Sequence, residues 1–480
     1  MQSVKTEIAS LFKQFSQAPI HSIEKIPQSG SDRVYFRIHS DAGSFIATSN
    51  KNVKENNTFM QFSKHFSKTN CPVPTIYAAN EEQTIYLQED FGDLSLLNKL
   101  EEQGETDYVY SLFQKSLKAL AHLQINGDEG LNYKWCITSK KFGKQAIISD
   151  LLYFKYYFLD TLKIPYDKEK LIDDFEVLGT YLGRADYQYF MFRDFQSRNV
   201  MVKEEEVFFI DYQGGMKGAL QYDVASLLWQ AKANLSDEWK NGLLEYYISC
   251  IEEILQEPID KIRFIGQYNG YVLIRLLQVL GAYGFRGLFE RKAHFLTSIP
   301  LALRNIQWFI HNKHVGISMP EFERLLLLMT EEEVIQRFEN VKATTATKLQ
   351  VTINSFSYKK GIPTDVSDNG GGFVFDMRGI LNPGRFDEYK TQSGLDKPVK
   401  DFLEQQTKMP QFLNSVYNII DIAVEDYIKR DFEHLMINFG CTGGQHRSVY
   451  AAEAIARHLR NKFKVKLTVT HTNQENWKRI

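Results

Sequence analysis

The first part of the chain alternates short β-rich runs with turn residues and then changes to helical spacing. The β-rich runs are Val34–Ile38, Ser44–Thr48 and Thr84–Gln88, and polar or glycine-containing stretches separate them. Between residues 105 and 185, apolar residues recur every three or four positions, which predicts helices. The pattern therefore predicts a β-rich lobe followed by a helical one.

Strand and helix periodicities alternate again in the middle of the chain. Residues 188–215 have the pattern of strand, loop, strand and loop, and helical spacing returns from 221 to about 313. The longest apolar stretch, near Tyr271–Phe289, is interrupted by Arg275 and Arg286. Its uninterrupted runs are too short to span a bilayer, so we expect a buried helix.

A polar tract, Lys342–Lys348, separates these elements from a second β/α pattern that begins near Leu349. We therefore predict a first domain over residues 1–315, a helical connector over 316–347 and a second domain over 348–480. The predicted fold class is an α+β bilobal domain followed by a smaller α/β domain.

Composition and cysteine usage narrow the class of protein. The 480 residues are 43% hydrophobic and 24% charged, which excludes a disordered or disulfide-stapled chain. The N-terminus is charged and has no unbroken apolar core, so we expect no signal peptide and a cytoplasmic location. No paired spacing that would predict a disulfide framework or a zinc site occurs among the cysteines, Cys71, Cys136, Cys250 and Cys441.

The charge balance differs between the two predicted domains. The whole chain has 57 Lys and Arg against 59 Asp and Glu, a net charge of −2. Residues 348–480 hold 19 Lys and Arg against 15 Asp and Glu. A solvated helix end accounts for this excess, but RNA stays open as a partner of the second domain only.

The densest chemistry lies in the segments Phe192–Asn199 and Val207–Gly214. Phosphoryl transfer from ATP needs a carboxylate that accepts or orients a hydroxyl, and oxygen ligands for Mg²⁺. Asp194 supplies the carboxylate, and Asn199 and Asp211 supply oxygens of the kind that Mg²⁺ prefers.

The alternative interpretation is that these side chains only shape turns. A single D-x-x-x-x-N motif is common, but its order here, between two apolar strands and followed by Asp211, favours a catalytic site. Nearby, Asp223 is predicted to cap the helix Val224–Trp229 rather than to bind substrate.

The first domain resembles the aminoglycoside phosphotransferase (choline-kinase-like) family, which has a protein-kinase-like fold. It is most similar to the anomeric kinases that phosphorylate N-acetylmuramate and N-acetylglucosamine at C1. The resemblance covers about residues 5–310 and rests on SGSDRVYFRI (Ser29–Ile38), LQEDFGDLSLL (Leu87–Leu97), RDFQSRNVMV (Arg193–Val202), IDYQGGMKGALQYDVASLL (Ile210–Leu228) and LIRLLQVLGAYG (Leu273–Gly284).

The resemblance implies a role for each matching residue. Asp194 would be the catalytic base, and Asn199 and Asp211 would hold Mg²⁺. Glu89 would lie at the hinge beside the adenine. The residues implied to contact ATP phosphates are Gly30, Ser31, Asp32 and Arg33, although S-G-S-D alone is equally typical of a hairpin turn.

One departure from the family pattern concerns the phosphate-binding lysine. The strand Phe45–Thr48 has no Lys that could pair with Glu55 on the following helix. Either Arg33, Arg37 or Lys51 takes its role, or the domain is a degenerate kinase without activity.

A second constellation lies near the C-terminus. The strand His434–Phe439 enters the segment Gly440–Ser448, and a helix with a regular apolar face follows. This order places free backbone N–H groups around one point, which favours an anion, and His446 and Arg447 would add donors. A tight β-to-α connection that binds nothing is the alternative.

The spacing of Cys441, Arg447 and Ser448 also fits a cysteine phosphatase, in which a thiolate attacks phosphorus. Gly440 stands where many such enzymes have His. The candidates for a general acid are Asp365, Asp368 and Asp376.

A more extensive resemblance covers residues 349–480, which look like the C-terminal domain of RapZ-type RNase adapters. It rests on INSFSYKKGIPTDVS (Ile353–Ser367), FVFDMRGILNPGR (Phe373–Arg385), SGLDKPVKDFL (Ser393–Leu403) and GCTGGQHRSVYAAEAIARHL (Gly440–Leu459). The resemblance implies that this domain senses glucosamine 6-phosphate. The implied anion or phosphosugar site comprises Cys441, Thr442, Gly443, Gly444, His446 and Arg447, with Asp376, Arg378, Asn382 and Lys397 as further candidates.

These adapters also carry a P-loop domain, and the sequence has no G-x-x-x-x-G-K-[ST] motif. Small-RNA binding is therefore not carried over with the resemblance. Together the two resemblances imply an ATP- and Mg²⁺-dependent kinase of an amino sugar, in cell-wall recycling, with a second domain that binds a phosphorylated amino sugar. The alternatives are a non-catalytic sensor or RNA-binding adapter, and a C-terminal cysteine phosphatase.

Overall fold

The structure of the chain, a computed structural model, describes residues 2–26, 33–290, 293–296, 298–339, 341–365, 367 and 371–477. The chain divides into two compact units. The first comprises Met1–Ala282 with Leu301–Glu331, and the second comprises Tyr283–Pro300 with Glu332–Ile480. The domain bounds expected from the sequence stay a prediction.

The first unit begins with a β-rich lobe. Its five strands form an antiparallel sheet in the order β1-β2-β3-β5-β4. The three strands predicted here are confirmed to within two residues at each end. The elements of this lobe are α1 (Gln2–Phe15), β1 (Ile20–Lys25), β2 (Val34–Ser40), β3 (Gly43–Ser49), α2 (Val53–Lys68), β4 (Ile76–Ala79) and β5 (Ile85–Glu89).

The remainder of the first unit is mainly helical, and two short two-stranded antiparallel sheets, β6 with β9 and β7 with β8, carry its polar loops. The described elements from residue 96 to residue 283 are α3 (Leu96–Gln103), α4 (Asp107–Ile125), α5 (Lys144–Tyr157), α6 (Lys168–Gly183), β6 (Gln188–Met191), β7 (Val200–Lys203), β8 (Glu206–Phe209), β9 (Met216–Ala219), α7 (Gln221–Leu228), α8 (Asp237–Leu255) and α9 (Lys261–Tyr283). Of the helices that follow, α11 (Ile299–Asn312) and α12 (Pro320–Met329) lie mainly in the first unit, whereas α10 (Ala293–Leu296) and α13 (Glu332–Gln336) belong to the second.

One helical stretch in the described part of the chain, Lys261–Phe289, is long and apolar enough to cross a bilayer by length and composition alone. More than half of its most apolar window is buried inside the protein. Arg275 lies within it and is only 5% exposed. These features are typical of a core helix, as the sequence predicts for this stretch.

The second unit contains a four-stranded parallel sheet in the order β11-β12-β10-β13. Helix α16 packs on β10, β12 and β13, and α15 packs on α16. One core of buried aliphatic side chains from these strands and helices fills the space between them. The elements are β10 (Gln350–Ser357), β11 (Phe373–Asp376), α14 (Lys397–Gln406), α15 (Met409–Lys429), β12 (His434–Cys441), α16 (Arg447–Phe463) and β13 (Lys466–His471).

The parallel topology fixes where polar side chains meet. Ser357 at the end of β10 lies beside Cys441, and Asp376 at the end of β11 lies beside Gly440. The carboxyl ends of three strands therefore meet at the edge from which the loop to α16 departs. Ligands bind at this edge in open α/β sheets.

Candidate functional site

The loop that carries Asp194 follows β6 and is held by its own polar side chains. Asn199 donates its Nδ2 hydrogen to the backbone carbonyl of Asp194 over 2.9 Å. Ser197 donates its hydroxyl to Gln230 over 2.6 Å. Arg193 has a φ of +79°, in the left-handed region that side chains other than glycine rarely adopt. Such strain persists only where the surroundings fix the backbone, and it is common at functional sites.

The carboxylate of Asp223 supplies that restraint. It accepts the backbone N–H of Phe192 over 2.7 Å and that of Arg193 over 3.0 Å. Gln124 on α4 donates a third hydrogen bond over 2.9 Å. Asp223 is completely buried and lies in the first turn of α7, whose N-cap is Leu220. The prediction that Asp223 caps its own helix is therefore wrong, because its carboxylate faces a loop about 30 residues earlier.

Burial raises the pKa of Asp223 to about 7, although its three hydrogen-bond donors act in the opposite direction. The carboxylate is thus stabilised by directed donors rather than by water or by a direct ion pair. Arg275 adds a weaker favourable interaction with its charge.

The Asp194 side chain is accessible and has basic neighbours. It is 36% exposed, and it accepts a hydrogen bond from Gln196 over 2.6 Å. Arg198 lies 3.4 Å from one carboxylate oxygen and Arg275 lies 3.7 Å from the other. A small hydroxyl compound can approach this carboxylate from solvent, as a general base requires.

Behind this loop, the partly buried Arg193 and the buried Arg275 both contact a buried tyrosine. Arg193 makes two hydrogen bonds of 3.0 Å to the carboxylate of Asp150, and it donates to the hydroxyl of Tyr222 over 2.9 Å. Arg275 donates to the same hydroxyl over 3.3 Å. The Nε of Arg275 has no hydrogen-bond partner in the described structure. This arrangement leaves positive charge close to Asp194.

Asn199 and Asp211, the predicted metal ligands, are joined through the backbone. The N–H of Ile210 donates to the Asn199 carbonyl over 3.1 Å, which brings the end of β8 to the catalytic loop. Asp211 has a φ of +72°. Like Arg193, it therefore has a left-handed backbone conformation that residues other than glycine rarely adopt.

These residues fit a magnesium ion by the chemistry of their donors. The Nδ2 hydrogen bond of Asn199 leaves its Oδ1 available, and Asp211 offers a carboxylate. Mg²⁺ prefers oxygen ligands and is usually held by one or two carboxylates together with substrate phosphates. In the described part of the chain, no group of three or more His, Cys, Asp and Glu could hold an ion alone. The site is therefore suited to a metal that arrives with a nucleotide.

Arg33 is the only one of the three candidates for the missing lysine that contacts these residues in the described structure. Its NH2 lies 2.5 Å from Oδ1 of Asp211, and its Nε lies 3.5 Å from Glu55 on α2. Arg37 instead pairs with Asp90 and Asp93 at the end of β5. Lys51 is exposed.

Electrostatics couples Arg33 to Asp211. Burial disfavours the charged form of each side chain, but each also stabilises the charge of the other. The net result lowers the pKa of Asp211 and raises that of Arg33. Gln213 also donates to Oδ1 of Asp211 over 2.8 Å. Asp211 is therefore anionic at neutral pH, as a metal ligand must be.

The predicted nucleotide residues are placed unevenly. Gly30, Ser31 and Asp32 lie outside the described residues. Glu89 ends β5 and accepts the N–H of Thr75 over 3.3 Å.

The sequence analysis did not identify Asp90, which follows Glu89 and is buried. Its carboxylate accepts hydrogen bonds from Arg37 over 2.7 Å and from Ser44 over 2.5 Å. The signal was the D of LQED, a charged residue directly after an apolar strand.

In the second unit, the loop after β12 has its carbonyl groups bound from outside. The donors to the four consecutive carbonyls, at 2.7 to 2.9 Å, are Ser357 Oγ for Thr442, Asn473 Nδ2 for Gly443, Trp477 Nε1 for Gly444 and Gly394 N for Gln445. Because C=O and N–H point in opposite directions across a trans peptide, the following N–H groups face the interior of the loop.

One contact supports this orientation directly. The N–H of Gly444 donates to the sulfur of Cys441 over 3.2 Å, so Cys441 lies at the base of the loop. Gly444 has a φ of +60°, which glycine adopts without strain. Thr442 and Gly443 are exposed at the mouth of the loop. The inward N–H groups thus form a concave site suited to an anion.

The two charged or polar side chains expected to bind the anion are used differently. The Nε2 of His446 lies 2.9 Å from the Tyr389 carbonyl, and burial lowers the pKa of His446, so the ring is neutral. The NH1 of Arg447 donates to the carbonyls of Met377, Arg378 and Ile380. The Nε of Arg447 is buried and has no hydrogen-bond partner in the described structure.

The other candidates near this loop contact partners close to them in the sequence. Arg378 forms an ion pair of 2.7 Å with Asp376. Asn382 accepts the N–H of Gly384 over 3.3 Å, and Lys397 lies 2.6 Å from Asp401. Of the proposed acids, Asp365 accepts hydrogen bonds from Ser367, while Asp368 lies outside the described residues.

Two protein-family models match the chain. Residues 22–257 match the phosphotransferase enzyme family, and residues 349–475 match the RapZ C-terminal domain. The chain therefore contains a phosphotransferase-family domain with a kinase-like fold, followed by a RapZ C-terminal domain of α/β fold.

Curated relatives match mainly over the second region. A nucleotide-binding protein of Shewanella halifaxensis is 36% identical over 129 residues, which is 27% of this chain and 43% of the relative. A nucleotide-binding protein of Fusobacterium nucleatum is 32% identical over 191 residues, 38% of this chain and 61% of the relative. The chain thus covers less than half of the first of these proteins and under two thirds of the second.

Solved structures resemble the first part of the chain. An amicoumacin kinase in complex with AMP-PNP, Ca²⁺ and Ami matches with a TM-score of 0.47 and 12% identity, over 67% of this chain and 96% of that one. A choline kinase from Cryptosporidium parvum has a TM-score of 0.44 and 14% identity, over 66% of this chain and 94% of that one.

The buried carboxylate generates a pH-dependent prediction. Asp223 has an ordinary pKa of 3.8 when unfolded and about 7 when folded. As the pH rises from 4 to 7, the unfolded chain therefore loses this proton first, and the folded chain loses up to about 4 kcal/mol of stability. Asp223→Asn removes this dependence. We expect the stability deficit of the variant to be smaller at pH 7.5 than at pH 4.5.

Chemical denaturation of both proteins at the two pH values measures the difference. The exposed Asp173 on α6 provides a matched control, Asp173→Asn, which should follow the wild type at both pH values. A deficit of Asp223→Asn that is equal or larger at pH 7.5 would contradict the prediction.

Proposed function

We propose that the first unit transfers the γ-phosphoryl group of ATP to a hydroxyl of an amino sugar, such as N-acetylglucosamine or N-acetylmuramate, with the anomeric hydroxyl as the first candidate. The observation that carries the proposal is the accessible Asp194 carboxylate on a strained loop, joined through Asn199 to Asp211. Phosphoryl transfer depends mainly on such positioning and on charge stabilisation.

Each residue has a separate task in this reaction. Asp194 orients the acceptor hydroxyl and accepts its proton. Asn199 and Asp211 would hold Mg²⁺, which supplies charge neutralisation on the phosphates when it is bound. Arg33 takes the place of the missing strand lysine: it pairs with Glu55 and holds its guanidinium beside Asp211. An arginine can bind phosphate oxygens in a bidentate manner.

The surroundings of Asp194 support a polar acceptor. The partly buried Arg193, the buried Arg275 and the hydroxyl of Tyr222 lie behind the carboxylate. Such groups suit a molecule rich in hydroxyl and amide groups rather than an apolar alcohol. The choice of an amino sugar rests on the sequence resemblance of the motifs around these residues.

Catalysis by Asp194 is testable by substitution. We expect ATP consumption with at least one of N-acetylglucosamine, N-acetylmuramate and glucosamine, and a loss of about 10²-fold or more in kcat for Asp194→Ala, because a positioned base is removed. Asp173→Ala, on the exposed face of α6, is the control and should retain full kcat.

Choline is included as the acceptor of a related class of kinase. Turnover with choline alone would contradict the amino-sugar assignment. Absence of Asp194-dependent turnover with any acceptor would favour the degenerate kinase lobe.

Substitutions of Arg33 test whether its guanidinium replaces the missing lysine. Arg33→Gln should lower kcat/KM for ATP at least about tenfold, because the guanidinium donors proposed to bind the phosphate oxygens are lost. Arg33→Lys should recover part of this loss, and Lys51→Gln, at an exposed position, should have no effect. Equal losses for Arg33→Gln and Lys51→Gln would show that Arg33 does not replace the lysine.

We propose in addition that the second unit binds a phosphorylated amino sugar at the loop after β12. The inward N–H groups of this loop and its position before α16 support this ligand, since a helix N-terminus adds a favourable dipole. Regulation of the kinase by this ligand is part of the same proposal.

Substitutions of two neighbouring glycines test whether the conformation of the loop is needed for binding. A Cβ on Gly444 would lie 2.9 Å from Ser357 N, whereas one on Gly443 meets no atom within 4 Å. In Gly444→Ala, an alanine at this positive φ would also destabilise the loop conformation by about 1–2 kcal/mol. We expect about tenfold weaker binding of glucosamine 6-phosphate for Gly444→Ala and unchanged binding for Gly443→Ala. Calorimetry on the full chain measures both, and equal affinities of the two variants would contradict the proposed site.

A further inference from the structure

The sulfur of Cys441 is the atom on which the loop after β12 converges. It accepts the N–H of Gly444 and contacts the hydroxyl of Ser448, each over 3.2 Å. Cys441 is 2% exposed and Ser448 is fully buried in the first turn of α16. A buried cysteine that accepts a backbone N–H and contacts a buried hydroxyl differs from one that only fills space in a core.

Arg447 provides a second, independent observation. The residue is only 4% exposed, and its NH1 alone contacts three carbonyls, those of Met377, Arg378 and Ile380. Its Nε has no hydrogen-bond partner in the described structure. Burial lowers the pKa of Arg447, and its interaction with Cys441 acts in the opposite direction. A buried charged donor without a partner is costly, and an anion placed beside Cys441 would satisfy it.

We propose that this loop also hydrolyses phosphomonoesters, with Cys441 as the nucleophile. The proposal rests on the proposed binding of a phosphate group at the same loop. The inward N–H groups hold the phosphate oxygens above the sulfur, and the free Nε of Arg447 binds the oxygen on its side. Ser448 donates its hydroxyl to the sulfur and stabilises it as an anion when it leaves.

The reaction has two balanced steps. In the first, the Cys441 thiolate gives an electron pair to phosphorus, an S–P bond forms, and the P–O bond breaks with its electrons on the leaving oxygen. In the second, water attacks phosphorus, and the S–P bond breaks with its electrons on sulfur. Inorganic phosphate leaves with the protons of that water, and the thiolate is restored.

The carboxylate nearest to this chemistry in the sheet is Asp376, which is in register with Gly440. Its hydrogen bonds to Arg378 lower its pKa, so it is not protonated at neutral pH. The leaving oxygen must therefore depart as an anion and take its proton from solvent. This condition selects substrates with a stable leaving anion, such as aryl phosphates.

The experiment uses the full chain and p-nitrophenyl phosphate. We expect turnover that inorganic vanadate inhibits, loss of turnover in Cys441→Ser, and slower turnover in Ser448→Ala. Cys136→Ser, another buried cysteine in the first unit, is the matched control and should be as active as the wild type. This turnover should need no ATP, which separates it from kinase activity.

A second measurement is independent of how the variants fold. Iodoacetamide labelling of the wild type, read by mass spectrometry at each cysteine, should modify Cys441 and be prevented by vanadate. Vanadate-insensitive turnover, or turnover retained in Cys441→Ser, would overturn the proposal. Glucosamine 6-phosphate binding without any Cys441-dependent turnover would overturn hydrolysis and leave the binding function intact, whereas absence of both would refute the binding function as well.

Discussion

The conformation of the Asp194 loop in the first unit depends on one buried carboxylate. Asp223 fixes two consecutive N–H groups, those of Phe192 and Arg193, immediately before Asp194. These hydrogen bonds keep Arg193 at a φ of +79°, a conformation that is unfavourable for arginine in an unrestrained chain. The cost of burying the carboxylate is visible in its raised pKa. The two N–H groups donate to the Asp223 carboxylate in fixed directions. They thereby hold the backbone next to Asp194 in one position, which hydrogen bonds to solvent would not do.

A second electrostatic constraint lies between the two lobes of this unit. Oδ1 of Asp211 receives both Arg33 and Gln213. An incoming metal ion must therefore compete with a guanidinium at the same oxygen. Because Arg33 also lies near Glu55, a shift of the guanidinium toward that carboxylate would free Asp211 and retain a partner for its charge.

Local sequence order predicted much of the fold and part of each site. The strands of the first lobe, the Asp194 loop and the loop before α16 follow from patterns within about ten residues. The roles of Arg33 and Asp223 do not, since each contacts a partner 30 to 178 residues away. Arg447 was expected to face the anion, but its NH1 contacts a turn about 70 residues earlier. No spacing rule places that turn, so only the folded structure shows that the Nε of Arg447 lacks a hydrogen-bond partner among the described residues.

The two sites restrain backbone groups in opposite ways, and this explains their different chemistry. In the first unit a side chain accepts N–H groups and thereby positions a carboxylate that must stay accessible. In the second unit, side chains and a backbone amide bind four consecutive carbonyls from outside, so the N–H groups are left for a ligand. A loop whose carbonyls are already bound cannot turn them toward an anion. The site therefore does not reorganise when charge develops there, which is the condition under which backbone dipoles stabilise a transition state.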